Sequence, residues 1–168
     1  MKNILAAVFF AIFFSANVVS AHGPDNKSFG FGIVLGEPTG LTVKYWTANL
    51  NAFNFTLGGR SYFGSPRLGV DYLWHFYAFD TRIVNIYAGP GVAVGFGEGD
   101  GFWYEDKKGR FFVRDDDGPG VGVRGVFGLN LVPNATPLEF FIEFGVLVGI
   151  APDVGSAADF AVGMRFYP

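Results

Sequence analysis

Alternation of apolar and polar residues with a period of two constrains this chain more than any other feature. Segment 138–150 shows it best, because one of its faces is wholly apolar: Leu138, Phe140, Ile142, Phe144, Val146, Val148 and Ile150. A strand in a soluble sandwich turns such a face toward a second layer. Here almost every strand-like segment has an equally wide apolar face, and no helical segment is available to cover it. The pattern therefore favours a membrane barrel with lipid outside and polar residues inside.

The N-terminus has the pattern of a secretory leader. A basic start at Met1-Lys2 precedes an apolar run over 4–14, and Val19-Ser20-Ala21 supplies small residues at a cleavage site. The alternative is a membrane-anchoring helix, but polar residues interrupt the run before Ala21 and no basic stop-transfer cluster follows it. We expect residues 1–21 to be a cleaved signal peptide and residues 22–168 to form a single barrel domain.

Composition excludes several classes of protein. The chain has no cysteine, so it is neither a disulfide scaffold nor a thiolate metal site. Its 21 Phe and 25 Gly favour strands and disfavour helices. A formal charge of −3 without any basic cluster argues against nucleic-acid binding. We expect no cofactor and no metal site.

The mature chain divides into eight candidate strands separated by turn-forming residues. They are Ser28–Gly36, Leu41–Thr47, Asn51–Gly59, Arg67–Phe76, Arg82–Gly97, Gly120–Val132, Leu138–Ile150 and Asp159–Tyr167. Proline cannot donate to a strand ladder, so Gly89-Pro90-Gly91 predicts a bulge or kink in the fifth strand. In the sixth strand, Gly125 and Val126 compete for the outward position. The sequence predicts an all-β fold: an eight-stranded antiparallel up-and-down transmembrane barrel, monomeric and integral to a bacterial outer membrane.

Connection lengths predict an orientation. Such barrels have short periplasmic turns and longer extracellular loops. If both chain ends lie in the periplasm, the longest connection, 98–119, is extracellular. The third and seventh connections are also expected to be long, and the second, fourth and sixth are expected to be tight. The first connection is short and does not fit this pattern.

The inward positions of the predicted strands collect a set of charged residues. They are Lys44, Asp71, His75, Arg124, Glu139, Glu143 and Arg165. Histidine aside, the set contains three basic and three acidic groups, and buried charges are tolerated only when they are paired. An eight-stranded barrel has an interior that side chains can fill. We therefore expect a structural salt-bridge network and a plugged lumen rather than an open pore.

A catalytic interpretation finds little support. The enzymes known on such barrels modify lipid A, and one type needs a serine nucleophile beside a histidine, with a carboxylate behind it. After the leader, the only histidines are His22 and His75, and the serines at 61, 65 and 156 fall in loops at the opposite end from His75. We interpret His75 as a lumen-rim or aromatic-belt residue and assign no catalytic residue.

The long connection 98–119 combines aromatic and acidic residues and is the candidate surface-interaction loop. Its notable side chains are Phe102, Trp103, Tyr104, Asp115, Asp116 and Asp117. The acidic run lacks the distal glutamate of a calcium loop. Two interpretations stay open: a divalent ion bridging these acids to lipopolysaccharide phosphates, or a solvated loop whose aromatics mark the outer interface. Charge runs usually solvate, which favours the second.

Four segments resemble a group of small, uncharacterised bacterial outer-membrane barrels, similar in plan to the OmpA-like and OmpX-like eight-stranded proteins. They are Gly36–Trp46, Asp71–His75, Val123–Leu129 and Gly163–Tyr167. The resemblance covers essentially the whole mature chain and implies the fold and an outer-membrane location. One departure is that the chain ends Phe166-Tyr167-Pro168, whereas such barrels usually end on an aromatic residue.

These observations predict a structural or surface-interaction role through the extracellular loops. The main alternative is a small-solute pore or transporter, and a lipid A-modifying enzyme is less favoured. The expected partners are outer-membrane lipid and lipopolysaccharide, together with an extracellular ligand or host protein that the sequence does not identify.

Overall fold

Eight long antiparallel strands close into one barrel in the computed structural model of the chain. The structure describes residues 23–59, 66–78, 83–96, 105–106, 109–110, 120–133, 136–151 and 155–168. A single turn of 3₁₀ helix, Pro24–Asn26, precedes the barrel. Within these ranges no helix has the length and apolarity needed to cross a membrane.

The strands follow the chain in a simple order. They are β1 (Phe29–Gly36), β2 (Thr39–Ala48), β3 (Asn51–Gly59), β4 (Pro66–Tyr77), β5 (Val84–Gly95), β6 (Glu105–Asp106), β7 (Gly109–Arg110), β8 (Gly120–Leu131), β9 (Leu138–Ala151) and β10 (Gly155–Phe166). The barrel order is β1-β10-β9-β8-β5-β4-β3-β2. The two short strands β6 and β7 pair only with each other, between β5 and β8. The barrel is therefore up-and-down, and the predicted fold class is confirmed.

The period-two pattern decides which way each side chain points. In β8 every second residue is buried and every other one exposed from Gly120 to Leu131. Val126 is 4% exposed and lies inside, so Gly125 takes the outward position that the sequence left open. On β9 the apolar face from Phe140 to Ile150 is outward as predicted. The core of the molecule is thus the lumen itself.

The seventh connection is much shorter than predicted. Strand β10 begins at Gly155, four residues before the predicted start at Asp159, because residues 155–158 pair with residues 146–149 of β9. The seventh connection is therefore only 152–154, and the prediction of a long one is wrong. The fourth and sixth connections, 78–83 and 132–137, are each one residue longer than the predicted turns at 77–81 and 133–137. The loop-length argument for orientation then depends mainly on the single long connection between β5 and β8.

Pro90 does not produce the predicted bulge. Strand β5 keeps one register with β8 along its whole length, with Pro90 opposite Gly125. Toward β4 the ladder is interrupted between the pairs Asp71–Gly91 and Trp74–Ala88, but the register on either side of the gap is the same. The register shifts of the barrel lie elsewhere, between Trp46 and Ala48 and between Val121 and Gly122.

Candidate functional site

The inward face of the barrel carries its chemically versatile side chains. All seven predicted lumen residues lie there, each 4% exposed or less: Lys44, Asp71, His75, Arg124, Glu139, Glu143 and Arg165. The structure adds further buried polar residues beside them, namely Thr42, Asn54, Thr56, Asn85, Asn130 and Asp159. Such groups are stable in a dry interior only if they are hydrogen-bonded and paired.

Glu139 is the centre of one group of charges, near the end of the barrel where the chain terminates. Its Oε1 accepts from Lys44 Nζ at 2.7 Å, from Arg165 Nη1 at 3.2 Å and from Asn130 Nδ2 at 2.9 Å. The hydroxyl of Tyr167 donates to its other oxygen, Oε2. With two cations and one carboxylate, this Glu139 cluster carries one net positive charge.

Arg124 is the centre of a second group, farther from the chain ends. Its Nη1 donates to Asp71 Oδ2 and its Nη2 to Glu143 Oε1, both at 2.7 Å. Its Nε lies 3.3 Å from Asp159 Oδ2, an ion pair rather than a hydrogen bond. Arg67 donates to both oxygens of Asp159, at 3.2 and 2.8 Å. With two cations and three carboxylates, the Arg124 cluster carries one net negative charge.

Asn54 joins the two clusters. Its Oδ1 accepts from Arg165 Nη2 at 2.9 Å, and its Nδ2 donates to Asp71 Oδ2 at 3.2 Å. Thr42 reinforces this link, because its hydroxyl donates to Asn54 Oδ1 at 3.1 Å and accepts from Arg165. The opposite net charges of the two clusters cancel, so the connected network is neutral.

His75 lies in the lumen but outside the ion pairs. Its Nδ1 is 3.2 Å from the carbonyl oxygen of Leu50, and a carbonyl only accepts, so Nδ1 donates. Its ring packs between Trp46 and Tyr87, with ring centroids 4.4 and 5.3 Å away. The strand pattern therefore predicted that His75 faces the lumen. Its neighbours there are aromatic rings rather than the charged groups of the network.

Glycines on the inner face make room for these large side chains. At five inner positions an added Cβ would collide with a bulky residue of the adjacent strand: Gly30 with Tyr167, Gly91 with Asp71, Gly128 with Tyr87, Gly145 with Arg124 and Gly163 with Phe141. A Cβ on Gly128 would lie 2.3 Å from Tyr87 Cζ. A Cβ on Gly145 would lie 2.9 Å from Arg124 Nε. Small and large residues therefore alternate around the narrow interior.

Several members of the network were not among the predicted site residues. Arg67 and Asp159 share the inward register of Asp71 and Arg165 on their own strands, so strict alternation could have found both. Asn54 alternates with the outward residues of β3 in the same way, and only its contacts show that it has a linking role. Nothing in the sequence marks the inward residues Tyr87 and Tyr167 as members of the network, because aromatic residues are also common on the outer face.

The surface-loop residues Phe102, Trp103, Tyr104, Asp115, Asp116 and Asp117 lie outside the described residues. Of that connection, the structure describes only the short β6–β7 pair, in which Glu105 is opposite Arg110. In the part of the chain that is described, no group of three or more His, Cys, Asp or Glu is arranged to hold a metal ion.

Comparison with known proteins gives a structural relative only. No family model matches the sequence, and no curated protein matches it. The barrel is similar to the crystal structure of the N-terminal β-barrel domain of Pseudomonas aeruginosa OprF, with a TM-score of 0.56. The alignment has 13% identity and covers 82% of this chain and 93% of that domain. At this identity the similarity establishes the fold, and it agrees with the eight-stranded plan inferred from the sequence.

Proposed function

We propose that the chain is an integral outer-membrane barrel. Its described residues expose 28 large apolar side chains, whereas the charges of the two clusters lie inside. Soluble monomers rarely expose contiguous apolar patches of more than a few hundred Å². The hydrocarbon core of a bilayer removes that penalty, and a closed barrel leaves no unpaired strand edge within it. Lipid and lipopolysaccharide are then its immediate partners.

Within that assignment, we propose a plugged lumen and a structural or surface-interaction role. The observation that supports a plugged lumen is that polar contacts cross it between strands that are not neighbours in the sheet. Lys44 on β2 reaches Glu139 on β9, Arg165 on β10 reaches Asn54 on β3, and Arg124 on β8 reaches Asp71 on β4. Side chains that make such contacts fill the cross-section of the lumen. Interaction with other molecules is then left to the connections at the end opposite the termini.

The same contacts argue against catalysis in the lumen. A nucleophile needs a base within hydrogen-bond reach and a third group that orients the base. The carboxylates of the two clusters are instead held by cations, amides and tyrosine hydroxyls, and His75 contacts a backbone carbonyl and two rings. We propose that the protein is a monomer that binds no cofactor and catalyses no reaction.

Single-channel recording tests the plugged lumen against the pore alternative. Purified protein is added to planar bilayers, with a porin of known conductance as the positive control for insertion. Co-flotation of the protein with vesicles shows that it has inserted. We expect inserted protein without unitary conductance steps. Steady steps that scale with protein concentration would establish the small-solute pore in its place.

Protease treatment of whole cells tests the orientation. We expect the first cleavage within 98–119, because exposed loop tips are the preferred sites of proteolytic nicking. The connection 132–137 between β8 and β9 is the matched control at the other end of the barrel. Cleavage of 132–137 in intact cells, with 98–119 protected, would invert the proposed topology.

A further inference from the structure

The seam between the first and last strands of the barrel is staggered. Strand β10 pairs with β9 over its whole length, Gly155–Phe166, but with β1 only over 161–166. The ladders between β2 and β3 and between β5 and β8 instead run to the ends of both strands. Within the described part of the chain, residues 155–159 therefore have a strand partner on one side only. We call this segment the open edge, and it lies at the end of the barrel opposite the chain termini.

Strand β1 does not lengthen to cover the open edge, because it turns back at Gly36. This glycine has a φ of +119°, a conformation that L side chains rarely adopt. The hydroxyl of Thr39 fixes the turn, since it accepts from Gly36 N at 3.0 Å and donates to Gly36 O at 2.7 Å. Just after the turn begins, Glu37 N donates to Phe160 O at 2.9 Å. The stagger is thus built into the hairpin of β1 and β2.

The bond from Glu37 to Phe160 identifies which backbone groups the open edge presents. In an antiparallel ladder, successive residues direct their N–H and C=O groups to opposite sides. Since Phe160 faces β1, Ser156 and Ala158 direct their groups to that same side, and both residues are exposed. The odd-numbered residues of the open edge direct theirs to β9. The free hydrogen-bonding capacity of the edge therefore belongs to Ser156 and Ala158.

The open edge lacks the features that usually protect a sheet edge. Edge strands are commonly guarded by Lys, by Pro or by a bulge. Residues 155–158 are instead Gly-Ser-Ala-Ala, and their register with β9 is unbroken. The one charge of the segment, Asp159, is buried in its ion pair with Arg67. The small side chains thus leave room for another backbone to approach.

The open edge lies level with outward apolar side chains. Ser156 is opposite Val148 of β9 and Ala158 is opposite Val146, and both valines are exposed on the outer face. In the hydrocarbon region of a membrane, no water is present to bond an unpaired backbone group. A strand that pairs with the open edge therefore supplies hydrogen bonds that lipid does not.

The direction of β10 favours a partner other than a second copy. Copies in one membrane are inserted the same way, so two β10 strands would run parallel, and parallel pairs are the less stable. A segment of another protein can enter from outside in the antiparallel direction. Its side chains must be apolar on both faces, because the outer neighbours are Val146 and Val148 whereas the inner neighbour, Ala157, packs with Ala93 and Leu147.

We propose that the open edge of β10 is a docking site for an extended, uncharged and apolar peptide segment of a partner at the cell surface. The segment pairs with Ser156 and Ala158 as an added strand. This inference rests on the proposed outer-membrane assignment, and it gives the surface-interaction role a place and a class of partner.

Binding of a labelled peptide to the purified full chain in lipid vesicles tests the docking site. The probe is a hexapeptide of alternating Val and Ala, N-methylated on every second residue so that only one of its edges can pair. The same peptide methylated on every residue is its control. We expect only the probe to bind. Ala158→Pro should weaken its binding by about tenfold, because it removes an N–H from the open edge and places a ring in the path of the partner.

Ala158→Ser is the matched control, because it keeps both the N–H and a small side chain, and it should bind the probe as the unsubstituted chain does. Ser156→Pro should repeat the effect of Ala158→Pro. The chain has no cysteine, so single cysteines can also report the position of the probe. With a probe that carries one cysteine, Ala158→Cys should form a disulfide. Val162→Cys should not, because Val162 is outward on the same strand but already has β1 beside it.

Co-flotation with vesicles and a heat-dependent gel shift verify insertion and folding separately from binding. Inserted protein that binds the probe and the control peptide equally would overturn the docking site and leave the outer-membrane assignment intact, as would undiminished binding to both proline variants. Oxidation of Ala158→Cys to a disulfide-linked dimer, in place of a disulfide with the probe, would give the edge to a second copy and overturn the peptide partner. Failure of the chain to float with vesicles would overturn the outer-membrane assignment and this inference together.

Discussion

The outer face and the lumen of this barrel are built by different rules. Outward side chains are mostly large and apolar. Among the described residues, the ring contacts between them lie on β1, β3, β4 and β10. The inward face carries the charged side chains of the barrel, and those of the two clusters each have partners at hydrogen-bond distance. Side chains on the outer face need only be apolar, because fluid lipid fills any gap between them. The lumen needs a partner for each charge and a space for each large group.

This difference predicts how each surface responds to substitution. A change on the outer face should matter only through its transfer free energy into lipid. A change in the lumen should also leave buried groups unpaired or overlapping. The free energy of unfolding, measured by urea titration in the same lipid vesicles, compares substitutions on the two faces.

The largest effect is expected for Arg124→Ala. This change leaves Asp71 and Glu143 buried without their principal cation, and losing one member of a buried ion pair costs about 3–5 kcal/mol. Lys27→Ala is the control, because Lys27 is exposed and such changes stay within about 0.5 kcal/mol. Equal stabilities for the two variants would mean that solvent, rather than Arg124, balances these carboxylates.

A charge placed on the outer face should cost somewhat less. Val146 points outward near the middle of β9, and Val146→Arg should lower the unfolding free energy by about 2–4 kcal/mol, the range for Arg or Lys at the bilayer midplane. Val146→Leu keeps the apolar character and should be nearly neutral. Unchanged stability of Val146→Arg in vesicles would contradict lipid contact at this surface.

Glycine replacement compares the space available on the two faces. Gly128 is inward, and an added Cβ would meet Tyr87 Cζ at 2.3 Å and Ile142 O at 2.7 Å, so Gly128→Ala should cost about 1–3 kcal/mol through overpacking. Gly125, three residues earlier on β8, is outward and has nothing within 4 Å of the same added atom. Gly125→Ala should therefore be neutral or slightly stabilising. A reversal of this order would invalidate the assignment of faces on β8.

The sequence predicts which face of the barrel a side chain occupies. It predicts far less well which residues meet, because that depends on the register between strands. Alternation placed Lys44, Asp71, Arg124, Glu139 and Arg165 on the inner face, because a strand has only two faces. Which groups then meet depends on how far each strand slides against the next, and no local pattern encodes that offset. The sharing of Arg124 among three carboxylates, and the linking role of Asn54, could be seen only once the barrel was closed.

Strand ends are harder to predict for a related reason. Residues 155–158 are Gly-Ser-Ala-Ala, which carry no alternation in hydropathy and were predicted as loop. They extend β10 because β9 offers a complete backbone partner, with Gly155 opposite Gly149 and Ala158 opposite Val146. Pairing from a neighbouring strand thus overrides weak local preference. The same reasoning explains why Pro90 interrupts one ladder without shifting its register.

The smallest difference is expected from one substitution made on opposite faces of β9. Phe141 is 4% exposed, and its ring lies 3.8 Å from Arg165 Cζ, whereas Phe144 is 48% exposed and points outward. Phe141→Leu removes a desolvated cation–π contact worth up to about 2 kcal/mol and leaves unfilled space beside Gly163. Phe144→Leu exchanges one apolar group for another against lipid, so its cost should stay within about 0.5 kcal/mol. If Phe144→Leu were as costly as Phe141→Leu, the outer face would also require specific packing, as it would if a second protein rather than lipid covered it.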